Sequence, residues 1–235
     1  MSLRRGLNRL LKQYGYKVIK RDFFIDRLAE EFERVDEFCF IQIGANDGVK
    51  FDNLYSFVTS HKCKGIVIEP LSYYYEKLKF NYRRHPDIVA INSAVHSVDK
   101  TAAMYFVDPE VLDSVPEWAE GIGSLDPNHH KKSETLSEHI IHEEVRCAHL
   151  MDIIAENKCE QVNLLQIDVE GYDAEVIKMI DFSIITPSVI KFEQVNLDEN
   201  VREEAEEILK SQGYEIFRQG YNSIAVYPLK KRQSV

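Results

Sequence analysis

No stretch of this 235-residue chain stays apolar for the ~20 residues that a helix needs to cross a bilayer. It also opens without the uninterrupted apolar segment of a signal peptide. Cysteine is scarce: Cys39, Cys63, Cys147 and Cys159 form no CxxC pair and no metal-ligand spacing. That excludes a disulfide framework and a structural zinc site, and leaves reduced, buried thiols in a cytoplasmic protein as the expectation. No HExxH run, internal repeat or low-complexity tract is present. With 44% hydrophobic and 29% charged residues, the chain has the make-up of one folded α/β domain with a sizeable core.

Acid is missing altogether from residues 1–21, which hold Arg4, Arg5, Arg9, Lys12, Lys17, Lys20 and Arg21. Those seven positive charges against a net −10 put −17 on the other 214 residues. So acidic a body argues against a nucleic-acid groove. Leu3, Leu7, Leu10, Leu11, Tyr14 and Val18 recur at three- and four-residue steps, which makes residues 1–37 a basic amphipathic helical extension. Its apolar stripe suits packing on the domain or a second copy of the chain, a peripheral membrane contact, or an address peptide.

The informative part begins at Phe38. The apolar run Phe40-Ile41-Gln42-Ile43 stops in Gly44-Ala45-Asn46-Asp47-Gly48. A second run, Gly65-Ile66-Val67-Ile68, ends in Glu69-Pro70, the acid lying 21 residues after Gly48. Strand, glycine turn, helix, strand and acid is how an α/β sheet holds a ribonucleoside, with the acid on the ribose hydroxyls. Strands are expected at 38–43, 64–69, 88–92, 162–167 and 188–192, with helices at 52–60, 72–84, 149–157, 171–180 and 198–211. A hairpin is expected within 95–107, turning at Asp99-Lys100, and another over 214–227 across Gln219–Asn222. Residues 108–143 read as one long functional loop.

Ligands of such sheets lie beyond the carboxyl ends of the strands. The groups found there are Gly44, Asn46, Asp47 and Gly48; Glu69 and Pro70; Asn92, Ser93 and Ala94; Asp168 and Glu170; and Glu193. A nicotinamide dinucleotide asks for G-x-G-x-x-G facing a pyrophosphate. Here Asp47 stands where phosphate would press, whereas a phosphate-free cationic ligand suits the acidic rim of Asp47, Asp168 and Glu170. S-adenosylmethionine, a sulfonium with a zwitterionic end, is such a ligand.

These residues, with Asn92-Ser93-Ala94-Val95, Leu164-Leu165-Gln166-Ile167-Asp168-Val169-Glu170-Gly171-Tyr172-Asp173 and Ile190-Lys191-Phe192-Glu193, resemble the FkbM family of S-adenosylmethionine-dependent methyltransferases. Gly121–His129 is similar to a loop of one branch of that family. The resemblance runs from about residue 38 to 227. It implies a Rossmann-like class I methyltransferase sheet in residues 38–235, mostly parallel, seven strands with one antiparallel. It also implies O-methylation of a small hydroxylated acceptor such as a sugar or secondary metabolite. Gln42 departs from the acid that many class I enzymes place there, which shifts contact with the cofactor's amino end to Asp47 or Asp168. His129 and Glu170 are the first candidates for taking the acceptor's proton, ahead of Glu193, with Asp168 positioning the cofactor or acceptor. His139, His142 and Glu143 have a spacing that a helix could turn into a metal site, but solvated loop histidines are the commoner case, and no metal is expected. A nicotinamide-dependent oxidoreductase and a cofactor-binding module without transfer activity are the alternatives.

Overall fold

Five short apolar runs become adjacent parallel strands because helices cover both faces of the sheet, so neither face of a strand can stay polar. The computed structural model describes residues 22–228, apart from 53, 98–99, 130–133 and 160. The basic stripe within residues 1–21 lies outside the described residues. The strands are β1 (Cys39–Ile43), β2 (Lys64–Ile68), β3 (Ile88–Ile91), β4 (Ala94–Val95), β5 (Thr101–Val107), β6 (Gly123–Ser124), β7 (Ile140–Ala148), β8 (Leu164–Ile167), β9 (Val189–Glu193), β10 (Glu215–Gln219) and β11 (Asn222–Val226). The main sheet has seven strands in the order β10-β11-β9-β8-β1-β2-β3. Only β11 runs against the others, pairing antiparallel with both β9 and β10.

One face of this sheet carries Ile41, Ile43, Leu165, Ile167, Ile190 and Phe192 against the helices Leu150–Glu156, Asp173–Lys178 and Glu199–Ser211. The other carries Phe40, Val67, Leu164 and Ile224 against Phe23–Phe32, Leu54–Ser60 and Ser72–Tyr82. In register, Ile43 faces Ile68 and Ile167, and Ile167 faces Phe192. The four strands therefore end level, and the loops after them leave from a single edge.

Two expectations change. Asp99 of the expected turn lies outside the described residues, and β5 does not pair with β4: it pairs along its whole length with β7, from Thr101 with Arg146 to Val107 with Ile140. Together with β4 and β6 they form a second sheet, ordered β4-β7-β5-β6. The region 108–143 is accordingly no continuous loop but two 3-10 turns (Pro109–Ser114 and Glu117–Gly121), β6, a third turn (Glu134–His139) and the start of β7. Alternation in β7 is masked because only Val145 and Cys147 are buried along it, and Ile141 is exposed among polar neighbours. His142 and Glu143 are successive strand residues, which point to opposite faces, so the helical metal spacing is not realised. Ser72 is the first residue of its helix, and Leu71 precedes it without a side-chain bond.

Candidate functional site

The level strand ends enclose a cleft of about 370 Å³, within the range that holds a small cofactor. Gly44 enters it at φ +74°, with the Gly44 and Ala45 N–H groups donating to the Ile68 carbonyl at 3.0 and 2.9 Å. A Cβ on Gly44 would lie 1.8 Å from the Asp168 carbonyl oxygen, so the bare backbone is what lets the β1 turn pass the end of β8. Asn46, also left-handed at φ +49°, lines the cleft and donates through its side chain to the Glu120 carbonyl at 2.9 Å.

Asp47 and Gly48 are not among the residues lining the cleft. The Asp47 carboxylate instead accepts the Val49 and Lys50 N–H groups, both at 2.8 Å, and so shapes the turn. Gly48 packs on a helix: a Cβ there would meet Leu78 at 2.6 Å and Tyr82 at 2.7 Å.

Glu69 is 4% exposed and belongs to the cleft wall with Pro70. One of its oxygens accepts the Asn46 N–H at 2.9 Å and the other the Leu71 N–H at 2.9 Å. Burial pushes the carboxyl up to about 7, against the pull of those two bonds. Ser93 and Ala94 complete this wall. Asn92 works behind it, donating to the Glu69 and Pro70 carbonyls at 3.0 and 2.8 Å.

Across the cleft, Asp168, Glu170 and Glu193 bring carboxylate oxygens within 4.8 Å of one another. A divalent cation could bridge such a cluster; without one, crowding and burial raise the proton affinity of Asp168 and Glu193. Burial, then the Glu170 charge, pushes Glu193 up to about 7. Asp168 is open to the cleft on one side but enclosed on the others. Its carboxyl is held well above the usual range by desolvation first, then by the charges of Glu193, Glu170 and Asp173. Glu170 sits at φ +51°, a conformation that costs a non-glycine residue ~1 kcal/mol or more. Its Oε2 is 2.9 Å from His129 Nε2 and accepts from Asn196 Nδ2 at 2.7 Å. Among the described residues Oε1 has no partner. His129 is 8% exposed and stands behind Glu170, outside the cleft lining.

Several lining residues carry little signal of their own in the sequence. Asp52 has the look of a helix start, Gln166 is absorbed into a strand, and Lys191 lies inside a longer motif. The available signal is a polar residue inside an apolar strand at Gln42 and again at Gln166. Tyr74 lines the cleft from its helix, and Phe51, Trp118 and Tyr221 are exposed aromatic rings around its mouth. The segment 117–124 lies over the β1 turn through the ion pair of Lys50 with Glu120 at 2.8 Å. It is tied to the opposite wall by Ser124 Oγ, which donates to the Glu170 carbonyl at 3.0 Å.

The raised carboxyls set a pH dependence. Glu69 and Glu193 move from an ordinary 4.5, and Asp173 from 3.8, to about 7. Between those limits the folded chain binds more protons than the unfolded one. Their contribution to stability is therefore complete below the unfolded values and is lost as pH rises through 7. The ligand-free protein is expected to show a melting temperature that falls from pH 5 to pH 8, with a shallower fall for Glu69→Gln. A scan that is flat or rising over that window would contradict the assignment.

A family model described as methyltransferase FkbM domain matches residues 42–216. Among solved structures, the methyltransferase FkbM from Methylobacillus flagellatus aligns over 82% of this chain with a TM-score of 0.51 and 15% identity. The chain spans 44% of that protein's length. Two looser matches are a human methyltransferase 10 domain containing protein (12% identity, 97% of this chain and 100% of that one, TM-score 0.46) and a precorrin-6y C5,15-methyltransferase from Geobacter metallireducens (14%, 84% and 87%, TM-score 0.40). At these identities the likeness is one of fold. Among curated proteins, none matches.

Proposed function

The chain belongs to the FkbM methyltransferase family, and from that membership we propose that it methylates a hydroxyl oxygen of a small, sugar-like acceptor, with S-adenosylmethionine as donor. The nicotinamide alternative falls with the family assignment. The cleft fits the donor: Gly44 lets a ligand approach the backbone, the Glu69 carboxyl is anchored for ribose hydroxyls, and the opposite wall is acidic rather than phosphate-binding. When bound, S-adenosylmethionine supplies an electrophilic methyl group. Gly44, Asn46, Glu69, Pro70, Ser93 and Ala94 hold it in this reading, with Asn92 and the Asp47 turn supporting them from outside the cleft.

The observation that carries O-methylation is the Glu170 carboxylate. His129 and Asn196 fix it through one oxygen, and the other is left for a partner in the cleft. A hydroxyl must lose its proton as it attacks, and a positioned carboxylate can receive it. Asp168 and Glu193, whose raised proton affinities favour the neutral form, orient the acceptor and keep the wall from accumulating charge. Phe51, Trp118 and Tyr221 offer ring faces to the apolar side of a sugar. Thiols rather than disulfides at Cys39, Cys63, Cys147 and Cys159 agree with a cytoplasmic enzyme, and among the described residues no helix is long and apolar enough to cross a membrane.

Donor with a labelled methyl group, incubated with sugars, polyols, phenols, amines and thiols, is the test. Label is expected in hydroxylated acceptors as an alkali-stable ether. Label found only on nitrogen or sulfur, or on no acceptor at all, would overturn the proposal.

A further inference from the structure

Gln42 and Gln166 are neighbours in register on β1 and β8, and they are 2% and 3% exposed. Two buried amides in the middle of an otherwise apolar sheet need a reason. Both Nε2 groups donate to a single oxygen, Asp52 Oδ2, at 2.5 and 3.0 Å. Asp52 Oδ1 accepts the Leu54 N–H at 2.9 Å at the head of its helix. Both amide oxygens are left without a partner among the described residues. The amides are thus turned toward one carboxylate at the expense of their own acceptors, which fixes that carboxylate in the cleft wall.

Lys191 continues the row, in register with Gln166 on the next strand. Its ammonium lies 4.7 Å from the centre of the Phe24 ring and makes no ion pair among the described residues. Asp52, Gln42, Gln166 and Lys191 all line the same cleft, next to the β1 turn. An anion and a cation are therefore held apart by two glutamines, over adjacent strands spaced ~4.8 Å. A cation alone would use only Asp52, and an anion alone only Lys191. A ligand with an ammonium and a carboxylate on one carbon uses both.

We propose that this row is a subsite for an α-amino-acid zwitterion, with Asp52 receiving the ammonium and Lys191 the carboxylate. On the reading above, from which this follows, the ligand group is the methionine end of S-adenosylmethionine. Neither Asp47, which is outside the cleft lining, nor Asp168 then has to provide that contact.

Calorimetry on the full chain with three nucleosides tests it. They are S-adenosylmethionine, its decarboxylated form, and 5′-methylthioadenosine, which lacks the amino-acid end. Asp52→Asn is expected to weaken the first two by ~10- to 100-fold, as loss of a charge-assisted bond does, and to leave methylthioadenosine unchanged. Lys191→Met is expected to weaken S-adenosylmethionine by ~10-fold and to spare the decarboxylated form. Equal losses for all three nucleosides, or no loss, in either variant overturn the subsite while the methyl-donor reading stands. Wild-type protein that takes up none of the three overturns both.

Discussion

Glu170→Gln is expected to lower turnover by ~10²–10⁴-fold, with the affinity for S-adenosylmethionine within about twofold of the wild type. The amide keeps the shape of the side chain but cannot accept a proton. It also presents an NH₂ to a site arranged around a carboxylate. His129→Ala should cost less, ~10-fold, because His129 touches Glu170 rather than the cleft. Asn196 still holds the same Glu170 oxygen in that variant. Single-turnover rates, measured alongside cofactor titration, separate the chemical step from binding. A fully active Glu170→Gln, or a His129→Ala that is the deader of the two, would move the proton acceptor to another group.

Gly44→Ala is the second large effect. At φ +74° an alanine is already strained by ~1–2 kcal/mol, and its methyl group would lie 1.8 Å from the Asp168 carbonyl oxygen. That contact is to backbone on the neighbouring strand end, so no side-chain rotation relieves it. The β1 turn must lift away from β8, taking the Asn46 N–H off Glu69 and widening the cleft. Cofactor affinity should fall by more than ~100-fold and the melting temperature by several degrees, read by calorimetry and thermal scans. Wild-type affinity in this variant would mean that the turn has room which the geometry denies. Gly121, by contrast, has nothing within 4 Å of where a methyl group would sit and lies at the cleft edge; alanine there should be mild.

The parallel character of the main sheet could be read from the sequence because its strands are short apolar runs closed by turn residues and alternate with helices, which demands right-handed crossovers. The level strand ends then make the convergence of Glu69, Asp168, Glu170 and Glu193 a consequence of register. The second sheet is hidden because β7 has few inward apolar residues and pairs with β5 across 32 intervening residues. Periodicity within a short window does not report such pairing. Asp47 misleads through its type: an acid beside a glycine turn invites a ligand, but an aspartate bonds just as readily to the N–H groups two and three residues on. Asp52 escapes notice for the opposite reason. It looks like a helix start and is one, and only the two glutamines brought beside it by β1–β8 pairing single it out.

The position of β1 has a consequence for how the molecule comes to exist. It is the fifth strand across the sheet, between β2, which follows it by 25 residues, and β8, which follows by 124 in register. During synthesis the first three strands can meet while one whole edge of β1 stays open, and that edge closes only after residue 167 has left the ribosome. Closing so long a loop is slow, and an unpaired apolar strand edge recruits other chains in the meantime. Fragments ending before β8 should therefore aggregate rather than report on the cofactor half alone, and the glycine turn takes its shape only when Asp168 arrives against it. The cleft is, in folding order, one of the last things the chain makes.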